Sequence, residues 1–183
     1  MHLKGALHVH TTCSDGELGL EETLRVYESL GFDFIALTDH DHLLRTGCYD
    51  AVWRIKTELI VFTGVEMTVF ERGYCHVNRV AGDRETLFIF NHPAQLDLPM
   101  DKAVARVLSV AEKFPLDGVE ITSNGFKTPE YDRPDLPFPK VATDDAHNLA
   151  MCGRAWVEMD APRNRDAIIR AVRNGDFWNC YRD

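Results

Sequence analysis

The chain has 183 residues, 45% of them apolar and 27% charged, with a formal net charge of −9. That length suits one domain, 1–183, with a sizeable core, and the acid excess weighs against an electropositive face for long nucleic acid. No run of about 18 apolar residues occurs and MHLKGALHVH lacks the apolar stretch of a cleaved leader, so no membrane contact and a cytoplasmic location are expected.

From the N-terminus, LKGALHV (3–9) reads as a strand. Leu20, Leu24, Tyr27 and Leu30 then recur on one helical face, with Gly31 placed to end the helix. FIALT (34–38) is a second strand, and Val52, Ile55 and Leu59 carry a weaker helical pattern. LIVFTGV (59–65) is a third strand, and MTVF (67–70) is positioned to pair with CHVNRV (75–80) as a hairpin across ERG. TLFIF (86–90) precedes the clearest helix, spanning Val104, Val107, Leu108, Ala111 and Phe114. DGVEI (117–121), KVAT (140–143) and AWVEM (155–159) are further strands, with the proline-rich NGFKTPEYDRPDLPFPK between the first two read as a loop over a site. Ile168, Ile169 and Val172 predict a last helix, with Asn164 as its cap and Gly175 as its stop. Alternation of this kind predicts an α/β fold with a mainly parallel sheet, whose sites lie beyond the carboxyl ends of the strands.

Ionisable residues gather at those ends. His8 and His10 close the first strand, two apart and so on one side of it. Asp39 and His40 follow FIALT, Glu66 follows LIVFTGV, and His76 lies in the hairpin run. His92 follows TLFIF, Glu120 ends DGVEI, and Asp145 and His147 follow KVAT. A lone strand-end histidine is usually a surface or capping residue. Six of the eight histidines recurring beside strand ends with carboxylates point instead to one metal-binding rim. Imidazole nitrogen with carboxylate oxygen suits zinc, manganese or iron. The five cysteines, at 13, 48, 75, 152 and 180, form no CxxC pair and fit free thiols in a reducing compartment better than a disulfide framework.

The motifs HVHTTCSDG (8–16), TDHD (38–41), GVE (64–66), NHP (91–93) and DDAH (144–147), with the closing DAIIRAVRNGDFW (166–178), occur in order along nearly the whole chain. Together they resemble the PHP family, named for its polymerase and histidinol phosphatase members. The resemblance implies a distorted (β/α)7 TIM-like barrel holding two or three divalent ions. By that likeness His8, His10, Glu66 and Asp145 would hold one ion. Glu66 would bridge to a second, completed by His76 and His92, while Asp15, His40 and His147 would hold a third. Glu66, His40 and Asp145 are the expected catalytic positions, with Asp39 orienting a ligand histidine or capping the following turn. Glu120 is expected to support the site without binding metal.

The chemistry implied is hydrolysis of a phosphate ester by a metal-bridging hydroxide, with the ions about 3.5–4 Å apart. The expected substrate is a small phosphomonoester or nucleotide, of which histidinol phosphate is a narrower version. An exonuclease on short oligonucleotides and a non-catalytic metal-binding module are the alternatives. His42 could contact phosphate; among the loop cations Arg45, Lys127, Arg133 and Arg154, the last two are favoured for that role. Only 25 residues separate Glu66 from His92, too few for the helical insertion seen in nucleotide-hydrolysing relatives, so an open pocket is expected.

Overall fold

A computed structural model describes residues 1–182. Nine strands form one sheet in the order β11-β10-β1-β2-β3-β4-β5-β6-β9. They are β1 (His2–Val9), β2 (Phe34–Leu37), β3 (Ile60–Phe70), β4 (Tyr74–Ala81), β5 (Thr86–Phe90), β6 (Gly118–Glu120), β9 (Lys140–Val141), β10 (Ala155–Asp160) and β11 (Trp178–Tyr181). A separate small hairpin pairs β7 (Thr122–Ser123) with β8 (Phe126–Lys127). The mainly parallel sheet expected from the alternation is corrected. Four neighbouring pairs are parallel and four antiparallel, because β4 and β10 run against the other seven strands.

The sheet curls into a nearly closed barrel. At the upper rim Val9 bridges Ala146, and His10 N donates to Ala146 O at 3.0 Å. Lower down, Asn179 on β11 accepts from Ala142 N and donates to Lys140 O, both at 2.7 Å, so one side chain sews the sheet's two edges together.

Three α-helices cover this barrel: α1 (Leu20–Ser29), α2 (Met100–Ala111) and α3 (Arg165–Asn174). The seven strand–helix units implied by the family resemblance are therefore not what the described residues form. Two local reasons are visible. The weak pattern at Val52 and Ile55 yields only a three-ten helix, Cys48–Arg54, after which Ile55 is already extended. Between β6 and β9 the prolines at 129, 134, 137 and 139 leave room only for a three-ten turn, Pro129–Tyr131, and no α-helix. The segment, expected as a loop over the site, is anchored to the barrel. Tyr131 and Leu136 are buried in the layer shared with α2, where a helix would otherwise lie.

Each helix buries a defined stripe. Leu24 and Tyr27 of α1 pack on Ala6, Val9 and Ile35, while Val104, Val107 and Val110 of α2 pack on Val77, Phe90 and Val119. Leu3, Leu7, Phe34, Phe62 and Val80 fill the barrel, and Ile168, Ile169 and Val172 of α3 join them. As expected, Asn164 caps α3 by accepting from Ala167 N, and Gly175 ends it in a left-handed turn. Asp166 in its first turn accepts from the backbone of residues 83, 84 and 85, fixing α3 to the β4–β5 turn opposite the histidine-bearing rim. No helix among the described residues is long and apolar enough to cross a membrane.

Cys13 and Cys48 are joined by a disulfide, which corrects the expectation of five free thiols. Cys75, Cys152 and Cys180 are free. The sequence distance of 35 residues hid a pair brought together by two loops on the same rim.

Candidate metal centre

A bulge in β1 aims the first ligands. Ala6 pairs with Ile35 and Val9 with Leu37, so three steps on β1 face two on β2. Ala6 and Val9 both join the outer layer against α1, although strict alternation would separate them. The extra residue shifts the phase, and His8 and His10 turn into the barrel mouth, fully buried at the side chain. Gly16 closes the loop that follows; a Cβ there would lie 2.6 Å from Thr11 N and 2.7 Å from the His10 carbonyl carbon.

Glu66, on β3, is the centre of the cluster. Around its two oxygens lie His92 Nε2 and His40 Nδ1 at 3.0 Å, His10 Nε2 and His76 Nδ1 at 3.2 Å, and His8 Nε2 at 3.5 Å. Asp145 Oδ1 stands 3.2 Å from His8 Nε2 and 3.3 Å from His10 Nε2. Asp15 stands 3.3 Å from His10 Nδ1 and 3.5 Å from both His40 Nε2 and His147 Nε2. All nine residues expected at the metal site therefore lie in one connected cluster. His40 and His10 each face both Glu66 and Asp15, where the sequence reading assigned each ring to a single ion.

The ligand fit rests on atoms left without partners. Nδ1 of His10, His40 and His76 and Oδ1 of Asp145 are buried with no hydrogen bond, despite their close neighbours. Five imidazole nitrogens cannot all donate to two carboxylate oxygens in good geometry. Lone pairs from several rings face common points, where a divalent cation would satisfy them. The donor set is nitrogen and oxygen throughout, without thiolate, as zinc, manganese and iron accept. Two non-glycine residues of this rim, His92 (φ 26°) and Asp145 (φ 48°), hold left-handed backbone, a strain of the order of 1–3 kcal/mol each.

A ring of support fixes the ligands. Glu120 accepts from His8 Nδ1 at 2.8 Å, from Thr143 Oγ1 at 2.7 Å and from His92 N at 2.8 Å. The His8 bond selects the tautomer whose Nε2 lone pair faces the cluster. Asn91 Nδ2 donates to Glu66 Oε1 at 2.8 Å and to Asn78 Oδ1 at 2.9 Å. Asn91, Thr143 and Asn78 were missed in the sequence; only Asn91, inside NHP, had a motif to flag it.

Asp39 is corrected. It contacts no histidine ring among the described residues; it accepts from Thr11 N and Oγ1 at 2.8 Å, Ser14 Oγ at 2.6 Å and Tyr49 OH at 2.7 Å. Its work is to hold the loop that carries Asp15. Arg133 pairs with Asp135, while Arg154 donates to Asn124 O and lies 5.0 Å over the Phe126 ring. Neither contacts the cluster. His42 is exposed, its Nδ1 3.2 Å from Thr68 Oγ1.

Without an ion, the cluster redistributes protons. Burial opposes charge on His10, but the close carboxylates of Asp145, Asp15 and Glu66 prevail and raise its pKa to about 10. His8 is likewise raised well above its ordinary value, Asp145, Glu120 and Glu66 overcoming burial. Burial pushes Glu66 up, yet His8 and the close rings of His10, His40 and His76 hold it well below the usual carboxylate range. Burial also opposes ionisation of Asp145, but His8, His10 and His92 lower it to about 2.

A family model described as PHP-associated matches residues 135–177. No curated protein matches the chain. Among solved structures, a two-domain protein from Bacteroides vulgatus containing a predicted PHP-like metal-dependent phosphoesterase is similar at 19% identity and a TM-score of 0.77. The alignment covers 99% of this chain and 65% of that one, so the chain spans less than two thirds of that relative. An amidohydrolase from Chromobacterium violaceum, holding sulfate and no metal, is similar at 14% identity and a TM-score of 0.68, over 95% and 97% of the two chains. PsfC from Pseudomonas syringae matches at 10% identity and a TM-score of 0.67, over 99% and 92%. These likenesses show a shared fold.

Proposed function

We propose that this chain, whose family-model match and structural neighbours support a PHP assignment, is a metal-dependent hydrolase that cleaves phosphate esters of small molecules. The observation that carries the reading is Glu66 with five imidazole nitrogens within 3.5 Å, two of them, Nδ1 of His40 and of His76, without hydrogen bonds. One carboxylate so surrounded is built to be shared between cations.

Two or three divalent ions are proposed. His8, His10, Asp145 and Glu66 would hold one, Glu66 with His76 and His92 a second, and Asp15, His40 and His147 a third. Bound there, they would supply Lewis acidity toward phosphate oxygens and lower the pKa of a water to near neutrality. The chain's own part is positional. Glu66 keeps its two oxygens apart toward different rings, Glu120 keeps His8 in the required tautomer, and Asp39 with Tyr49 keeps Asp15 at the rim. Phosphate would enter from the outer side, where the side chains of His76, His147 and Asp15 are 26%, 28% and 38% exposed. The inner ligands stay dry and resist displacement.

The test is elemental analysis of the purified protein, joined to phosphate release from a panel of monoesters, nucleotides and short oligonucleotides with added manganese or zinc. Two or three ions per chain with release from monoesters supports the reading. Release only from oligonucleotides would move it to the exonuclease, and metal with no release from any substrate would leave a binding module.

A further inference from the structure

The β3–β4 hairpin continues past the cluster. Its register runs unbroken to Glu66↔Asn78, Thr68↔His76 and Phe70↔Tyr74. By strand alternation these pairs share one face, each about 7 Å beyond the last. Phe70 and Tyr74 thus stand one step past His76, on the side that carries the ligands. Both are exposed, at 67% and 72%, with ring centroids 5.3 Å apart and planes at 75°.

The tip that bears them is held firmly. Its other face buries Val69 and Cys75 beside α2. Glu71 accepts from Ser109 Oγ at 2.8 Å and pairs with Lys113, and Arg106 donates to Arg72 O at 2.6 Å. The strapped tip thus presents two adjacent aromatic rings to solvent. A recess of about 120 Å³ opens along the edge of β4 beside it, lined by Tyr74, Cys75 and His76 on one side and Asn91, His92, Gln95 and Leu96 on the other. Tyr74 therefore walls the same recess as two cluster histidines. Its size is near that of a cavity that takes one six-membered ring. Gln95 Nε2 donates to Ser123 Oγ at 3.2 Å, which leaves its amide oxygen to accept from a ring N–H or O–H.

We infer that Tyr74, braced edge-on by Phe70, is the specificity-determining wall of a leaving-group subsite, and that the group it receives is a flat aromatic or heteroaromatic ring. Resting on the phosphoesterase reading, this names the substrate class as phosphate esters bearing a ring at or near the ester oxygen. Tyr74 stacks on the ring, Leu96 offers apolar contact, and the cluster takes the phosphate. Phe70 is a positioning residue.

The test compares metal-loaded wild-type, Tyr74→Ala and Tyr74→Phe proteins. Calorimetry measures binding of phenylphosphonate and methylphosphonate, which are not hydrolysed; kinetics measures KM and kcat for phenyl phosphate and glycerol phosphate. Wild type should prefer the aryl ligand about tenfold. Tyr74→Ala should abolish that ratio, the loss falling on KM, and Tyr74→Phe should keep it. A merely structural role would alter both ligands alike and leave the ratio intact. Absence of an aryl preference in wild type, or its survival in Tyr74→Ala, overturns the inference. Failure to hydrolyse either ester or any member of the wider panel refutes the phosphoesterase reading, while the phosphonate ratio still decides the subsite.

Discussion

His8, Glu66 and Asp145 sit on or beside barrel strands with at most 6% of each side chain exposed, whereas Asp15, His40 and His147 hang from connecting loops at 13–38%. The inner group is immobilised by other buried polar residues: Glu120 and Thr143 behind His8, Asn91 and Asn78 behind Glu66. The outer group depends on a loop tied down by Asp39, Tyr49 and the Cys13–Cys48 disulfide. Preorganisation therefore decreases from the barrel mouth outward. An ion held by the inner group should bind tightly and exchange slowly, and one held by the outer group should be easier to remove. The outer group is also the more exposed one, so on the proposed function an ion held there would be the one placed to meet substrate.

The comparison can be broken most directly at Glu66. Glu66→Ala should empty the inner site and depress phosphate release by roughly a thousandfold or more; normal metal content and rate would refute the shared-carboxylate role. Asp15→Ala should instead remove one metal equivalent and spare the rest, and equal loss in both variants would erase the inner–outer distinction. Breaking the disulfide with Cys48→Ser should lower unfolding stability by about 3–4 kcal/mol, from the 35-residue separation it closes. Inner-site metal should survive that change under native conditions, as metal analysis can check. Glu120→Ala should weaken inner-ion affinity about 10–100-fold by releasing the His8 ring, measured by competition with a chelator; unchanged affinity would show that the supporting ring matters less than the barrel.

The smallest expected effect is protonic. In metal-free protein His10, raised to about 10, contributes stability that is full below about 6.5 and lost as pH rises through 10. Asp145, lowered to about 2, contributes stability that is full above about 3.8 and lost as pH falls through 2. The metal-free chain should thus melt highest between these limits, and ion binding at pH 7–8 should release about one proton from His10. Titration in weak buffer measures that release; none would mean that the ion does not displace a histidine proton.

Much of this was legible because strand-end ligands leave local traces. HVHTTCSDG, NHP and DDAH each compress several ionisable residues into a few positions, and α1, α2 and α3 announced themselves by spacing and, for α3, by Asn164 and Gly175. His76 and Glu120, singled out in the sequence, also lie at the cluster, although no strong local motif surrounds His76. What stayed hidden has long sequence separation and ordinary composition: Tyr49 on Asp39, Thr143 on Glu120, Asn78 on Asn91, Cys13 with Cys48. A hydroxyl or amide of this kind is common on any surface, and only the partner makes it part of the site.

By itself the sequence determined which residue types stand at the strand ends, where helices α1 to α3 run, and that nitrogen and oxygen donors would outnumber any thiolate. Those are properties of composition and short-range spacing, written wherever the chain must bury an apolar stripe or end an element. The direction of β4 and β10, the bulge that turns His8 and His10 inward, and the sharing of His10 and His40 between Glu66 and Asp15 were decided by the tertiary structure alone. A one-residue shift in register swaps the two faces of a strand without changing its sequence, and only closure of the barrel selects between them.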